Sequence, residues 1–103
     1  MSVVVSFVKP LSASAGVGAV GRVRKKEVLT VPSTTTITAE TGEVAIILNT
    51  ETSGVLVAFG STPDGQAASE SSATSAGIGI AAGQIGPPLV LLQGDKVNVK
   101  TVA

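Results

Sequence analysis

The glycine-rich stretch near the N-terminus is the first place where residue spacing suggests chemistry. Gly16-Val17-Gly18-Ala19-Val20-Gly21 matches the G-x-G-x-x-G pattern of a dinucleotide-binding loop. That loop must follow a strand and open a helix, because the helix N-terminus holds the pyrophosphate. Here Pro10 and small residues precede the glycines, and residues 22–36, RVRKKEVLTVPSTTT, are broken by proline and rich in β-branched side chains. The stretch therefore favours a flexible connection over nucleotide binding.

One basic cluster follows, formed by Arg22, Arg24, Lys25 and Lys26. On a strand, alternation would place Arg22, Arg24 and Lys26 on one face. Three interpretations are open: a solvated sheet edge whose charge prevents aggregation, a salt-bridged contact with an acidic partner protein, and a phosphate-binding patch. The phosphate-binding interpretation is the weakest, since no aromatic side chain accompanies the cations. These four residues are the candidate polar contacts with a partner.

The carboxylates form no convincing catalytic or metal-binding group. Glu40 and Glu43 are close in sequence, but no D-x-D cluster supplies the six to eight oxygens that calcium takes. Asp95 follows Gly94 in a predicted turn, where a carboxylate makes local hydrogen bonds. The chain contains no histidine and no cysteine, so the commonest general base, the thiol nucleophile and the usual zinc ligands are missing. We therefore expect no enzyme activity, no metal and no cofactor.

The composition excludes several other classes of protein. The 103 residues suit one domain, and the net charge of zero provides no long-range attraction to nucleic acid or anionic membrane. The chain has no tyrosine or tryptophan on which bases or sugars could stack. No apolar run approaches the roughly 20 residues of a membrane span, and the N-terminus lacks signal-peptide features. We expect a protein of the cytoplasm, or of a particle assembled there.

The elements that must position any site are predicted to be strands. Apolar runs at residues 44–48 and 55–59 flank a polar connection, which predicts a central hairpin. Both faces of these two strands are apolar, which is typical of strands covered on both sides. Further strands are predicted at residues 2–8, 22–31, 34–39, 78–80, 89–92 and 96–102. Residues 61–75 contain no large apolar side chain and predict an exposed loop that is not rigid, with at most a loose helical turn at 66–70.

Seven to nine short strands without a substantial helix predict an all-β fold, a small antiparallel β-sandwich that is jelly-roll-like. We divide the chain into a strand and glycine-rich arm at residues 1–21 and a β-sandwich at residues 22–103, which together form a single domain. Apolar residues make up 44% of the chain and charged residues 14%, so one small core cannot absorb all the apolar surface. We expect contacts between subunits, with Val3, Val5 and Phe7 as the apolar contacts on an N-terminal arm.

The C-terminal half, from VLVAFG through AAGQ to GDKVNVKTVA, resembles small virion proteins of tailed bacteriophages. The shared features, over about half the chain, are a VAFG strand, a Ser/Thr/Ala loop, the AAGQ segment, an apolar strand and a closing GDKVNVK strand. The resemblance implies a capsid decoration (cement) protein, commonly a homotrimer, that stabilises the shell by bridging major capsid protein subunits. It implies no catalytic residues.

The expected function is accordingly that of a virion structural protein on the capsid exterior, with the major capsid protein and further copies of itself as partners. We expect no nucleic-acid or membrane partner. One alternative is a tail, baseplate or head–tail component. Another, from a different class, is a carbohydrate- or cell-surface-binding module that uses the loop at residues 61–75.

Overall fold

The structure, a computed structural model, describes residues 2–9 and 22–102. Within these residues the chain forms strands, turns and loops, without a helix. The predicted all-β sandwich is confirmed. The strands, in chain order, are β1 (Val3–Lys9), β2 (Arg22–Leu29), β3 (Ser33–Thr34), β4 (Val44–Asn49), β5 (Val55–Gly60), β6 (Ile78–Ile80), β7 (Leu89–Val90) and β8 (Lys96–Thr101).

The strands form two antiparallel sheets of four. The first sheet has the order β2-β1-β4-β7 and the second sheet has the order β3-β8-β5-β6. The chain therefore changes sheet at every connection except β1–β2 and β5–β6. Repeated crossing between two sheets is typical of Greek-key sandwiches, of which the jelly roll is one form.

The core lies between the two sheets and is built by alternation along each strand. Val57 and Val99, which are paired across β5 and β8, are fully buried, as are Val5 of β1 and Ile47 of β4. Because successive side chains point to opposite sides of a strand, the alternate residues form the outer faces of the sandwich.

The predicted hairpin of residues 44–59 is wrong. β4 pairs with β1 and β7, whereas β5 pairs with β6 and β8, so the connection between β4 and β5 crosses from one sheet to the other. Asn49 fixes this corner: its buried side-chain amide donates hydrogen bonds to the carbonyl oxygens of Ser53, Ile80 and Ala81 at 3.0–3.2 Å, and its Oδ1 accepts one from the Glu51 N–H at 2.9 Å.

Two other predictions need correction. The strand expected at residues 34–39 reduces to β3, since only Ser33 and Thr34 pair with β8. Residues 61–75 form no helical turn and are held by many hydrogen bonds, including those from the Ser75 N–H to the Phe59 carbonyl and from the Thr62 N–H to the Ala73 carbonyl. Polar side chains add further bonds, for example from the Asp64 N–H to the Thr74 hydroxyl at 3.0 Å and from the Gly65 N–H to Asn98 Oδ1 at 2.7 Å. Hydrogen bonds therefore order this loop without large apolar side chains.

The N-terminal strand is part of the sandwich. β1 lies in the interior of the first sheet and pairs with β2 on one side and β4 on the other. The expectation that residues 1–21 form an arm is therefore wrong for Val3–Lys9, which is an interior strand of the first sheet. Its remaining part, residues 10–21 with the G-x-G-x-x-G pattern, lies outside the described residues.

Candidate interaction surface

The three predicted apolar contacts are not on the surface. Val3, Val5 and Phe7 are each 0% exposed and belong to the core between the sheets. The sequence pattern correctly placed them on one face of β1, but that face is turned inward. Their assignment as contacts with a partner is therefore wrong, because no atom of these side chains reaches the surface.

Of the predicted polar contacts, Arg24 has a structural partner instead. The register of β1 against β2 shifts between Phe7 and Val8, which pairs Phe7 with Lys25 and Val8 with Val23. Arg24 is the extra residue of this β-bulge, and a bulge redirects a side chain. The predicted alternation of Arg22, Arg24 and Lys26 on one face is broken for this reason.

The redirected guanidinium binds a buried carboxylate. Arg24 Nε and Nη2 donate to the two carboxylate oxygens of Glu43 at 2.5 and 2.9 Å, and Nη2 also donates to the Thr38 carbonyl at 2.8 Å. The Glu43 side chain is 0% exposed. Glu40 accepts a salt bridge from Lys9 at 2.7 Å and lies 3.5 Å from Arg24 Nη1.

This arrangement keeps both carboxylates charged. Burial raises the pKa of Glu43, but the hydrogen bond from Arg24, the Glu40 backbone N–H at 2.7 Å and the nearby positive charges outweigh it, so the pKa is lowered. The hydrogen bond from Lys9 is the main cause of the lowered pKa of Glu40. Because two cations neutralise two carboxylates here, the cluster stabilises the fold and is not poised for acid–base chemistry.

The other three cations of the basic cluster are exposed. Arg22, Lys25 and Lys26 lie on β2, which is an edge strand of the first sheet. None of them takes part in an ion pair within the described residues. They are therefore compatible both with a solvated edge and with a contact to an acidic partner.

The outer face of the first sheet is apolar and keeps several large hydrophobic side chains exposed. It is formed by the residues of β1 and β4 that alternate with the core residues, together with their neighbours across the sheet. Three cross-strand rows make up this outer face: the Val28 row (Val28, Val4, Leu48, Ile85), the Lys26 row (Lys26, Ser6, Ile46) and the Val23 row (Val23, Val8, Val44, Val90). Val8 is fully buried, and the other residues of β1 and β4 on this face are half-buried. Only Lys26 and Ser6 are polar, so the face is almost entirely hydrophobic.

The outer face of the second sheet is covered by the chain itself. The loop of residues 61–77 lies across β5 and β8, where the Gly65 N–H donates to Asn98 Oδ1 at 2.7 Å and Lys100 forms a 2.8 Å salt bridge with Asp64. As a result Ala58 and Asn98, which point outward from their strands, are 0% and 5% exposed. The described residues provide no such cover for the first sheet, whose outer face keeps Val28 and Val90 exposed.

A shallow groove of about 370 Å³ lies beside this loop. Phe59 and Leu92 contribute apolar surface to it, and several of its polar groups are already bonded within the protein. The Ser75 hydroxyl accepts the Phe59 N–H at 3.0 Å, for example, and Asp95 accepts the Leu92 N–H at 3.0 Å, as predicted for this turn. The groove therefore gives no particular support to a carbohydrate site.

No group of histidine, cysteine, aspartate and glutamate suited to a metal ion occurs among residues 2–9 and 22–102. The same residues include no helix long and apolar enough to cross a bilayer. Comparisons of the chain with protein-family models, with curated proteins and with solved structures found no match.

The outer face was not identified as a site from the sequence, although a signal for it was present. β4 is apolar at both alternations, and its core face carries Ala45 and Ile47 while its outer face carries Val44, Ile46 and Leu48. The same two-sided pattern in β5 is explained by the loop that covers the second sheet. In β4 it marks a face that another molecule can cover.

Proposed function

We propose that this chain is a virion structural protein that decorates a bacteriophage capsid and stabilises it by bridging major capsid protein subunits. The observation that carries this proposal is the uncovered hydrophobic outer face of the first sheet. Soluble monomers rarely expose a continuous apolar face of this kind, and such faces usually mark contacts with other chains. The face is typical of a component of an assembly.

The basic edge supplies a second surface with a different chemistry. Arg22, Lys25 and Lys26 project from β2 without ion-pair partners among the described residues. Acidic groups on a shell protein would complement them, and such contacts fix orientation and partner choice more than they add affinity. Each contact is modest, so tight attachment requires several at once, as in an oligomer on a repeating lattice.

The resemblance of residues 55–103 to small virion proteins supports the same class. The segments that carry it correspond to β5, the β6–β7 region and β8, which are consecutive parts of the sandwich.

The test is co-sedimentation with empty shells assembled from the major capsid protein that the same genome encodes. We expect the chain to pellet with the shells at saturating stoichiometry and to raise the temperature at which they break open. Lys25→Glu should weaken attachment by about tenfold or more, because the attraction to acidic groups of the shell becomes a repulsion between like charges. Lys96→Glu, a charge reversal on the opposite sheet, is the matched control and should bind normally.

Failure to pellet with the shells would contradict the proposal. If the Lys25→Glu and Lys96→Glu variants attach equally well, the basic edge does not contact the shell and is only a solvated edge. A ring of six or twelve subunits in native mass spectrometry would instead favour the tail or baseplate alternative.

A further inference from the structure

The exposed apolar side chains of the outer face are concentrated along its two margins. On the β2 margin Val23 and Val28 are 52% and 61% exposed, and on the opposite margin Val90 and Ile85 are 73% and 65% exposed. Val28 and Ile85 are the two ends of the Val28 row, and Val23 and Val90 are the two ends of the Val23 row. The face therefore presents matching apolar pairs at equal heights on its two sides.

Charge discriminates between the two symmetric ways in which another such face could cover it. A twofold axis that runs across the strands would place β2 on the partner's β2 and bring two Lys26 side chains together. An axis parallel to the strands places β2 over the partner's β7, so the two Lys26 side chains lie at opposite margins. Since facing like charges oppose association, the parallel axis is favoured.

We propose that a second copy of this chain covers the outer face of the first sheet, sheet against sheet, about a twofold axis parallel to β1 and β4. In this arrangement Val28 contacts the partner's Ile85, and Val23 contacts the partner's Val90. Lys26 extends from the margin into water with its stem on the apolar surface, as long cationic side chains commonly do. The net charge of zero adds no overall repulsion between the copies.

The size of the face sets the strength of this contact. The three long strands β2, β1 and β4 lie about 4.8 Å apart and have at least six residues at about 3.4 Å each, which gives a plan area of roughly 300 Å² per copy; the two-residue β7 adds a little more. Specific interfaces usually bury about 800 Å² per partner, and protruding side chains raise the buried area above the plan area. We therefore expect a weak dimer whose population rises with protein concentration.

The inference goes beyond the proposed function by naming what covers the face. Pairing about this axis places the two basic β2 edges on opposite sides of the dimer. One dimer could then contact two shell subunits, which is the geometry that bridging requires. The dimer itself does not depend on the capsid function, and either can be tested without the other.

Sedimentation of the full chain over a range of concentrations measures the dimer. We expect Val28→Asp to raise the dimer dissociation constant by at least about tenfold, because the charge is placed twice in one apolar interface. Val102→Asp is the matched control, since Val102 is also an exposed valine, at 60%, but lies outside the outer face. It should leave the dissociation constant unchanged.

Engineered cysteines test the axis, since the natural chain contains none. The double variant Val28→Cys/Ile85→Cys should form a disulfide-linked dimer on oxidation. Three strand spacings separate these positions within one copy, too far for an intramolecular bond, which needs Cα atoms within about 7 Å. Cross-linking through Val23→Cys/Val28→Cys instead would show the other axis and overturn the geometry.

A trimer, or a monomer at every concentration, would overturn the proposal. A monomer would leave the face to another protein or to the chain's own residues 10–21. If the dimer forms but shells are not bound, the inference stands and the proposed function fails. If the chain is a monomer at every concentration and still binds shells, the proposed function stands and the dimer inference fails.

Discussion

Arg24 joins the edge of the first sheet to the turn that precedes β4. Its guanidinium spans the Glu43 carboxylate and the Thr38 carbonyl, so one side chain neutralises a buried charge and satisfies a backbone acceptor. Removing one partner of a buried ion pair costs far more than the pair contributes, because the other charge stays buried without compensation. Arg24 is therefore a structural residue, and charge reversal there would test folding and not attachment.

We predict that Arg24→Ala lowers the melting temperature markedly at neutral pH, whereas Lys25→Ala has little effect. The lowered pKa of Glu43 means that the folded protein binds fewer protons than the unfolded chain near pH 4. The ion pair thus contributes fully above the ordinary glutamate pKa of about 4.3 and is lost as the pH falls through the lowered pKa. Without Arg24, burial, the largest influence and one that raises that pKa, is opposed only by the Glu40 backbone N–H and the charge of Lys9.

The difference in melting temperature between the natural chain and Arg24→Ala should therefore be largest at neutral pH. It should become smaller as the pH is lowered and Glu43 is protonated. Thermal unfolding followed by circular dichroism above and below about pH 4.3 measures it. A difference that stays constant with pH would show that Arg24 acts by packing and not through the charge of Glu43. Lys25→Ala, its sequence neighbour on the exposed edge, controls for general effects of removing a cation.

At the scale of elements, the loop of residues 61–77 explains why the two sheets differ. Gly65 is buried where this loop meets β5, and its N–H binds Asn98 of β8. A Cβ at this position would lie 2.5 Å from the Leu56 carbonyl oxygen, which belongs to the backbone of β5 and cannot move aside alone. Only glycine permits the loop to approach the sheet this closely.

We predict that Gly65→Ala destabilises the protein by about 1–3 kcal/mol, the usual cost of overpacking. Gly79→Ala is the matched control: a Cβ there would meet only Leu56 Cδ2, at 4.0 Å. That substitution should be neutral or stabilising by up to about 1 kcal/mol, since it reduces the freedom of the unfolded chain. Urea denaturation measures the free energy of unfolding of both variants. Equal values for Gly65→Ala and Gly79→Ala would mean that the loop does not pack against the sheet at Gly65.

Alternation predicted the strands well but not their pairing. A period of two determines which side chains share a face, so Val97 shares a face with Val99 in β8 and Val55 with Val57 in β5; in the structure both of these faces are buried. The partner of β4 could not be predicted in this way, since both of its faces are apolar and no register is preferred. Sequence proximity then favoured the hairpin with β5 over the crossing between sheets.

The candidate surface was predicted in part. Arg22, Lys25 and Lys26 are exposed on an edge strand, as one interpretation of the sequence required. Arg24 was assigned incorrectly because the bulge shifts the alternation by one residue, and bulges leave no reliable signal in a single sequence. The sequence shows that both faces of β4 are apolar, but it does not show which face the second sheet covers. Only the folded arrangement of the two sheets determines which apolar face is left for a partner.

At the scale of the whole molecule, the position of β1 decides whether the N-terminus is an arm or a part of the body. β1 is hydrogen-bonded on both sides and contributes Val3, Val5 and Phe7 to the core. Each fully buried side chain of this size contributes about 1.5–3 kcal/mol. Three of them together approach the roughly 5–15 kcal/mol of net stability of an average domain.

We therefore predict that deleting residues 2–9 abolishes cooperative unfolding, because the deletion leaves β2 without a partner, leaves β4 paired only with β7, and opens one side of the core. A synthetic peptide of residues 1–9 should restore folding in trans, since a strand can add to the gap between two others. The control is deletion of residues 102–103, since β8 ends at Thr101. A shortened chain that still melts cooperatively would mean that β1 is an arm after all, and that the first sheet closes between β2 and β4 without it.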